Sequence, residues 1–334
     1  MTLPDPRRGA LEAGVSLEPD PLLESLERAR SGPVVVAVGG GHGLAQALRA
    51  VSRYAGTINA IVTVADDGGS SGRLAPDLGI LPPGDIRQCL LALTPDDSPW
   101  KRLFEYRFAQ SDVAGHSLGN LLIAALADIE GSFEGALRQA ERMLRPIGSV
   151  VPAAGRRLLL EAVVDDMAVT GQVAIAMSRG RISELAVRPA DVEASPRAVE
   201  AVMEADQIVL GPGSLYTSVM AVLVVPGMVE AINASGAGLV YVCNLITQDG
   251  ETLGMDGADH LEALIGLTGM RPPNAIVANT TAIDIEPPLT AVLADEDTIA
   301  TYGVDLVGAD LVDPRAAWPR HDAARLGGVL ARLV

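Results

Sequence analysis

The chain has 334 residues, enough for one large α/β domain or two moderate ones around a substantial core. Its formal net charge of −17, from 42 acids against 25 bases, repels polyanions and argues against a nucleic-acid partner, so any phosphate must be held by local backbone and a few arginines. Apolar residues make up 49% but aromatics only 3%, which predicts a core of Val, Leu, Ile and Ala rather than stacked rings.

In chain order, residues 1–31 read as an N-terminal extension, rich in proline and charge, with a short helix from Asp20 to Arg30. The polar start, with Pro4, Pro6, Arg7 and Arg8, has no secretion-signal pattern. The apolar stretch Val219–Ile232 is interrupted by Pro226 and Glu230 and cannot span a membrane. A cytoplasmic protein is the expectation. Residues 32–334 read as one α/β domain. Cys89 and Cys243 sit in apolar contexts and are expected to be buried, reduced thiols.

The β-branched run Val34–Val38 reads as a buried strand. It breaks into Gly39-Gly40-Gly41-His42-Gly43, and a helical pattern follows at Leu44, Ala45, Leu48 and Val51. Strand, glycine turn and helix form an anion site: glycines admit a phosphate to the backbone, and the helix start offers unpaired N–H groups. The loop matches neither G-x-G-x-x-G, which needs glycine at Leu44, nor a Walker motif, which needs a lysine. A merely tight βα turn is the competing reading.

A second strand, Ile58–Val64, ends in Asp66-Asp67-Gly68-Gly69-Ser70-Ser71-Gly72-Arg73. Acids at a strand's carboxyl end bind ribose hydroxyls in doubly wound sheets, and adjacent carboxylates also suit Mg²⁺ beside a pyrophosphate. An Asx-type turn with an N-cap is the simpler alternative. After the rigid turn Pro82-Pro83-Gly84, Asp85 can cap a helix to Leu93, which puts Arg87 in its first turn, where the dipole does not favour a cation. That placement hints at an anionic ligand. A helix over Pro99–Phe108 precedes Gly115-His116-Ser117-Leu118-Gly119-Asn120, which opens a further helix. His116 and Asn120 share one face, and Gly115 and Gly119 the neighbouring one, where another backbone can approach. His116 is as readily structural as acid–base.

After a helix at Phe133–Leu144, residues 147–190 read as an antiparallel excursion, with strands Leu158–Val164, Gly171–Met177 and Ile182–Val187 and no helix between them. The α/β rhythm resumes with a helix from Pro196 and the strand Gln207–Leu210, which breaks into Gly211-Pro212-Gly213-Ser214-Leu215-Tyr216-Thr217-Ser218, a second junction suited to phosphate or carboxylate. The strand Leu239–Cys243 leads into Asn244-Leu245-Ile246-Thr247-Gln248-Asp249-Gly250-Glu251-Thr252. A helix at Gly257–Leu267 and a strand at Asn274–Val277 follow, then short apolar pieces and acidic turns, with Arg320 and His321 ahead of a last helix from Asp322.

Six of these blocks in this order (VGGGHGL, TVADDGGSSGR, LPPGDIR, GHSLGN, GPGSLYTS and CNLITQDGET) resemble the gluconeogenesis factor family (YvcK-like), a branch of the CofD-like superfamily that includes 2-phospho-L-lactate transferase. The resemblance implies a Rossmann-like, doubly wound, mostly parallel sheet with an inserted helical block, often dimeric. It also implies a cytoplasmic protein needed for cell shape and cell-wall homeostasis on gluconeogenic carbon sources, with UDP-sugars as ligands. Carried over by motif, a phosphate loop falls on Gly39–Gly43, an acid-rich loop on Asp66–Ser71 with Mg²⁺ near Asp66 and Asp67, and a second glycine loop on Gly211–Ser214. Arg320 matches a basic residue that can meet a diphosphate, and Asn120, Asn244 and Thr247 belong to the same blocks. The commoner first loop has threonine at His42, and asparagine is usual at Gln88.

The leading expectation is a non-enzymatic sensor of a nucleotide sugar, since no activated nucleophile is visible, with no cofactor beyond Mg²⁺ accompanying a nucleotide diphosphate, and a protein partner in cell-wall regulation. The alternative is a Mg²⁺-dependent transferase, with Asp66, Asp67, Arg87 and His116 as candidate catalytic groups. The broken dinucleotide pattern argues against an NAD-dependent dehydrogenase.

Overall fold

The computed structural model describes residues 31–334, so the helix expected over Asp20–Arg30 lies outside the described residues. The valine run forms strand β1 (Val34–Gly39), five of whose six residues are buried, and helix α1 (Gly41–Val51) packs Leu44, Leu48 and Val51 behind it. Strand β2 (Thr57–Val62) pairs with β1 in parallel, Gly39 opposite Val62. The crossover from β2 holds α2 (Gly69–Leu78), α3 (Pro83–Leu93), α4 (Pro99–Glu105), α5 (Leu118–Glu130) and α6 (Phe133–Leu144) before β3 (Ser149–Pro152) joins the outer side of β2. Ser117 and Ser132 cap α5 and α6 by accepting the N–H groups of Asn120 and Gly135.

A small antiparallel sheet follows, in the order β5 (Met167–Thr170), β4 (Leu159–Val164), β6 (Ile182–Arg188), with α7 (Gln172–Ala176) between its last two strands in sequence. After α8 (Pro196–Met203), strand β7 (Gln207–Leu210) returns to the far side of β1, Leu210 opposite Val38. Then α9 (Met228–Ala234), β8 (Gly238–Val242), α10 (Gly257–Thr268), β9 (Ala275–Asn279), α11 (Glu296–Ala300), β10 (Asp305–Ala309) and α12 (Ala323–Leu330) complete the fold. The large sheet has seven strands in the order β10-β9-β8-β7-β1-β2-β3, with every pairing parallel. Succession reverses between β1 and β7, so the crevice at their carboxyl ends is where a doubly wound sheet takes its ligand.

The structure departs from the expected elements at four places. Ser149–Pro152 is a strand of the parallel sheet rather than part of the antiparallel excursion. Gly171–Met177 is not a strand: Gly171, at φ +102°, ends β5, and α7 follows. The first two amides of α7, Gln172 and Val173, donate to the Asp67 carboxylate at 3.0 Å each, a contact made across more than 100 residues. Helix α2 starts inside the serine-rich loop, at Gly69. Strand β10, half-exposed at the sheet edge, lay hidden among the acidic turns.

Among the described residues no single helix is long and apolar enough to cross a membrane. The apolar stretch there is a buried π-helical turn (Leu215–Met220) running on through Leu223 and then α9, bent by 72° from it. Cys89 and Cys243 are buried free thiols.

Candidate functional site

The two glycine loops meet at the reversal point. A Cβ on Gly43 would lie 2.0 Å from the Pro212 carbonyl oxygen and 2.7 Å from Gly213 Cα, so only glycine permits this approach. Asn244, just past β8, clamps the second loop: Gly213 N–H donates to its Oδ1 at 2.7 Å, and its Nδ2 donates to the Gly213 carbonyl at 2.8 Å. Ser214 Oγ and the Gln248 amide are hydrogen bonded at 2.8–3.0 Å. The π-helical turn after this loop already has its anion: buried Glu251 accepts from Tyr216 N–H (3.1 Å), Thr217 N–H (3.3 Å) and Thr217 Oγ1 (2.5 Å). Burial pushes the Glu251 carboxyl above its ordinary pKa, and the three bonds from Tyr216 and Thr217 oppose that rise.

Beside the junction opens a cleft of about 660 Å³. His42, Gln46 and Arg49 line one wall from successive turns of α1. Gly43, Pro212 and Gly213 form its floor, and Asn244 to Asp249 a second wall. The third wall is Trp318-Pro319-Arg320-His321. These four residues end a loop closed by the Val312–His321 bridge and by Asp313 N–H donating to the Arg320 carbonyl at 2.9 Å. Inside that loop the Arg320 guanidinium donates twice to Asp313 Oδ2, at 2.9 and 2.7 Å. Gln46 Nε2 donates to the His321 carbonyl at 2.5 Å, which ties the loop to α1. His42 is held below its ordinary pKa by desolvation and then by the guanidinium groups of Arg87, Arg49 and Arg107. On so acidic a chain, that is a local positive field at the start of a helix.

A second polar group lies against the other part of the first loop. A Cβ on Gly40 would stand 2.5 Å from Asp85 Oδ2, 2.8 Å from Thr63 Cγ2 and 3.4 Å from Ser218 Cβ. Asp85 is buried, and its carboxyl is pushed up to about 7 by burial and then by Asp66; the Gly41 N–H bond and Arg87 pull the other way. Asp66 is also raised, by burial first, while its Oδ1 accepts Gly68 N–H at 2.9 Å. Ser71 Oγ accepts Gly84 N–H at 3.0 Å. Ser70 Oγ contacts His116 Nδ1 at 2.9 Å and accepts from Asn120 Nδ2 at 3.0 Å. Arg87, buried and brought down to about 10 by burial and then Arg107, donates from Nε to Asn120 Oδ1 at 2.8 Å and from Nη1 to the Phe104 carbonyl at 3.2 Å. Gly119 is where α4 approaches α5: a Cβ there would lie 2.6 Å from the Phe104 oxygen.

The candidate residues therefore divide. His42, Gly43, Gly213, Asn244, Thr247 and Arg320 line the cleft. Ser70, Arg87, His116 and Asn120 form one buried network, while Asp66 and Ser71 hold the Gly68 and Gly84 amides beside it. Gly68 and Gly69 lead into α2, and buried Gly211 supports the second loop, while Gly39 ends β1. Asp66 and Asp67 hold different hydrogen-bond partners: both Asp67 oxygens accept the first amides of α7, and Asp66 closes an Asx turn on Gly68. After burial, which raises Asp66 and Asp85 first, Asp67 raises the pKa of Asp66, and Asp66 in turn raises that of Asp85. Among the described residues no group of three or more His, Cys, Asp or Glu is arranged to hold a metal ion. Arg87 finds its partners inside the fold.

Sequence reasoning missed Gln46, Arg49, Trp318 and Glu251 and read Asp85 as a helix cap. Positions 46 and 49 follow His42 at helical spacing, so their shared face was legible; Trp318 and Glu251 reach the site from separate loops and carried no local signal.

A family model described as 2-phospho-L-lactate transferase CofD matches residues 35–312. The gluconeogenesis factor of Halalkalibacterium halodurans is 38% identical over 301 residues, covering 87% of this chain and 94% of the relative. That of Bacillus subtilis is 37% identical over 311 residues, covering 90% and 98%. The crystal structure of a UPF0052-family protein from Bacillus halodurans superposes with a TM-score of 0.84 at 38% identity, covering 88% of this chain and 98% of that one.

Proposed function

Since this chain belongs to the CofD family, in its gluconeogenesis factor branch, we propose that it is a regulatory protein that binds a nucleotide sugar of the UDP-sugar class and leaves it intact. The observation that carries this reading is the cleft at the strand reversal, where two touching glycine loops meet Arg49, Arg320 and a His42 held toward its neutral form by burial and the surrounding arginines. Backbone amides and arginines supply a diphosphate cradle, and the amides of Asn244 and Gln248 and the hydroxyl of Thr247 supply partners for sugar or ribose hydroxyls. No nucleophile is poised in the cleft. The thiols are buried, with burial pushing both above their ordinary pKa. In this reading the protein works in the cytoplasm as a homodimer, reports cell-wall precursor status to a protein partner and sustains cell shape on gluconeogenic carbon sources.

Calorimetric titration with UDP-N-acetylglucosamine, UDP-glucose, UDP, GDP and NAD, each with and without Mg²⁺, followed by assay of the recovered ligand, tests it. Saturable binding of a UDP-sugar recovered whole is the expected result. Metal-dependent consumption, or preference for GDP, overturns it in favour of a transferase. One observation favours that second reading: Asp85, with Asp66 as a charged neighbour, lies against the first glycine loop, where a phosphoryl or glycosyl donor would need charge neutralisation. Each Asp67 oxygen already accepts one α7 amide, so in that reading Asp66 and Asp85, alongside Asp67, would be the candidate metal-facing carboxylates.

A further inference from the structure

The chain has two tryptophans in 334 residues, and one of them, Trp318, stands 60% exposed at the cleft wall. Its loop is built to hold it there. Asp313 accepts the Arg315 N–H at 3.0 Å, pairs with Arg320, and shares a backbone bond with the same residue, while Gln46 fastens the loop's base to α1. An indole face held on a braced loop at a cleft wall is a surface on which a flat heterocycle stacks. Among the described residues Trp318 is also the only Phe, Tyr or Trp side chain lining the cleft, and it is two residues from Arg320. A ligand whose diphosphate meets Arg320 and the glycine loops therefore has an aromatic platform within reach of its other end.

We infer that Trp318 is the stacking platform for the base of the bound nucleotide, so that the cleft selects a nucleoside diphosphate over a phosphorylated sugar without a base. This deepens the nucleotide-sugar reading and rests on it. It also fixes the ligand's direction, with the base at the Trp318 wall and the diphosphate at the loop junction.

The test uses tryptophan emission in a Trp100→Phe background, where Trp318 is the sole tryptophan; Trp100 lies on α4 and does not line the cleft. The probes are UDP, GDP, inorganic pyrophosphate and glucose 1-phosphate. UDP should quench the emission, and Trp318→Leu in the otherwise native chain should weaken UDP binding about tenfold, within the range that one base–aromatic stack supplies. Trp318→Phe should restore most of the affinity, and pyrophosphate should bind both variants as it binds the native chain. Unchanged UDP affinity in Trp318→Leu, or UDP binding without quenching, overturns the stacking role and leaves the nucleotide reading standing. Binding of pyrophosphate or glucose 1-phosphate with no binding of UDP or GDP by the native chain overturns both.

Discussion

Gly43→Ala separates two contributions of opposite sign. Gly43 lies in the first turn of α1, where helix propensity alone predicts that alanine stabilises by about 1 kcal/mol. Packing predicts the reverse, because the added Cβ would stand 2.0 Å from the Pro212 oxygen, 2.6 Å from its carbonyl carbon and 2.7 Å from Gly213 Cα. All three are backbone atoms of a loop clamped by Asn244, so no side chain can rotate out of the way, and the loops must part by about 1 Å or more to reach ordinary contact. Overpacking of this kind costs about 1–3 kcal/mol, and rigid backbone on both sides puts it at the upper end. Set against the propensity gain, a net loss of about 2 kcal/mol is expected, which lowers Tm by about 3 °C in a chain of this size. Thermal unfolding measures the loss, and calorimetry with a UDP-sugar should show binding abolished, because the loop junction is the proposed cradle. Gly41→Ala is the control: its φ is +60° but nothing lies within 4 Å of the added carbon, so only backbone strain of about 1 kcal/mol applies. A Gly43→Ala protein as stable as the parent, or no less stable than Gly41→Ala, would refute the contact between the loops.

Other expectations concern buried charge and the α7 cap. His260 and His321 are brought down to about 4 by burial; their folded pKa values lie below the unfolded value, so the stability they carry is complete above about pH 6.5 and is lost as pH falls through 4, about 3 kcal/mol for each histidine. Replacing both with asparagine should flatten the unfolding free energy between pH 6.5 and 4, and an unaltered slope would contradict it. Asp85 runs the other way: raised to about 7, it costs nothing below about pH 4 and becomes increasingly destabilising up to 7. Asp85→Asn, whose side-chain oxygen can still accept Gly41 N–H, should therefore raise Tm at pH 8 and leave it nearly unchanged at pH 4; equal gains at both would show that the carboxyl's charge is not the cause. Asp67→Ala should cost about 1 kcal/mol as a lost cap and speed amide exchange over Gln172–Ala176 while leaving any Mg²⁺ effect on ligand binding intact; loss of the Mg²⁺ effect would identify Asp67 as a metal ligand.

The parallel sheet was largely legible because strands such as β1, β2 and β7 are short apolar runs that lead into glycines or acids, and such runs report burial on both faces. Both glycine loops were legible for the same reason. What sequence could not supply was the partner of each polar side chain. Asp66 and Asp67 are neighbours in the chain yet serve different elements, one closing its own turn and one capping a helix more than 100 residues away. The short segment after Gly171 is helical for that distant reason, and its own residues Gln172–Ala176 carry a pattern that suits a strand equally well. Asp85 looked like a cap because it follows a Pro-Pro-Gly turn; only the fold brings its carboxylate against Gly40. Strand β10 escaped because it lies at an edge, half exposed, and so lacks the apolar run that marked its neighbours.

The first glycine loop is a partition one backbone thick. His42 and Gly43 line the cleft, while the Asp85 carboxyl lies against Gly40 and accepts the Gly41 N–H. A dianion arriving on the cleft side raises the proton affinity of the carboxyl behind the wall, and a charge lost behind the wall strengthens the hold on the anion in front. Ligand occupancy and proton uptake are thus two readings of one electrostatic variable, and the proton released or taken up on titration measures how thin that wall is.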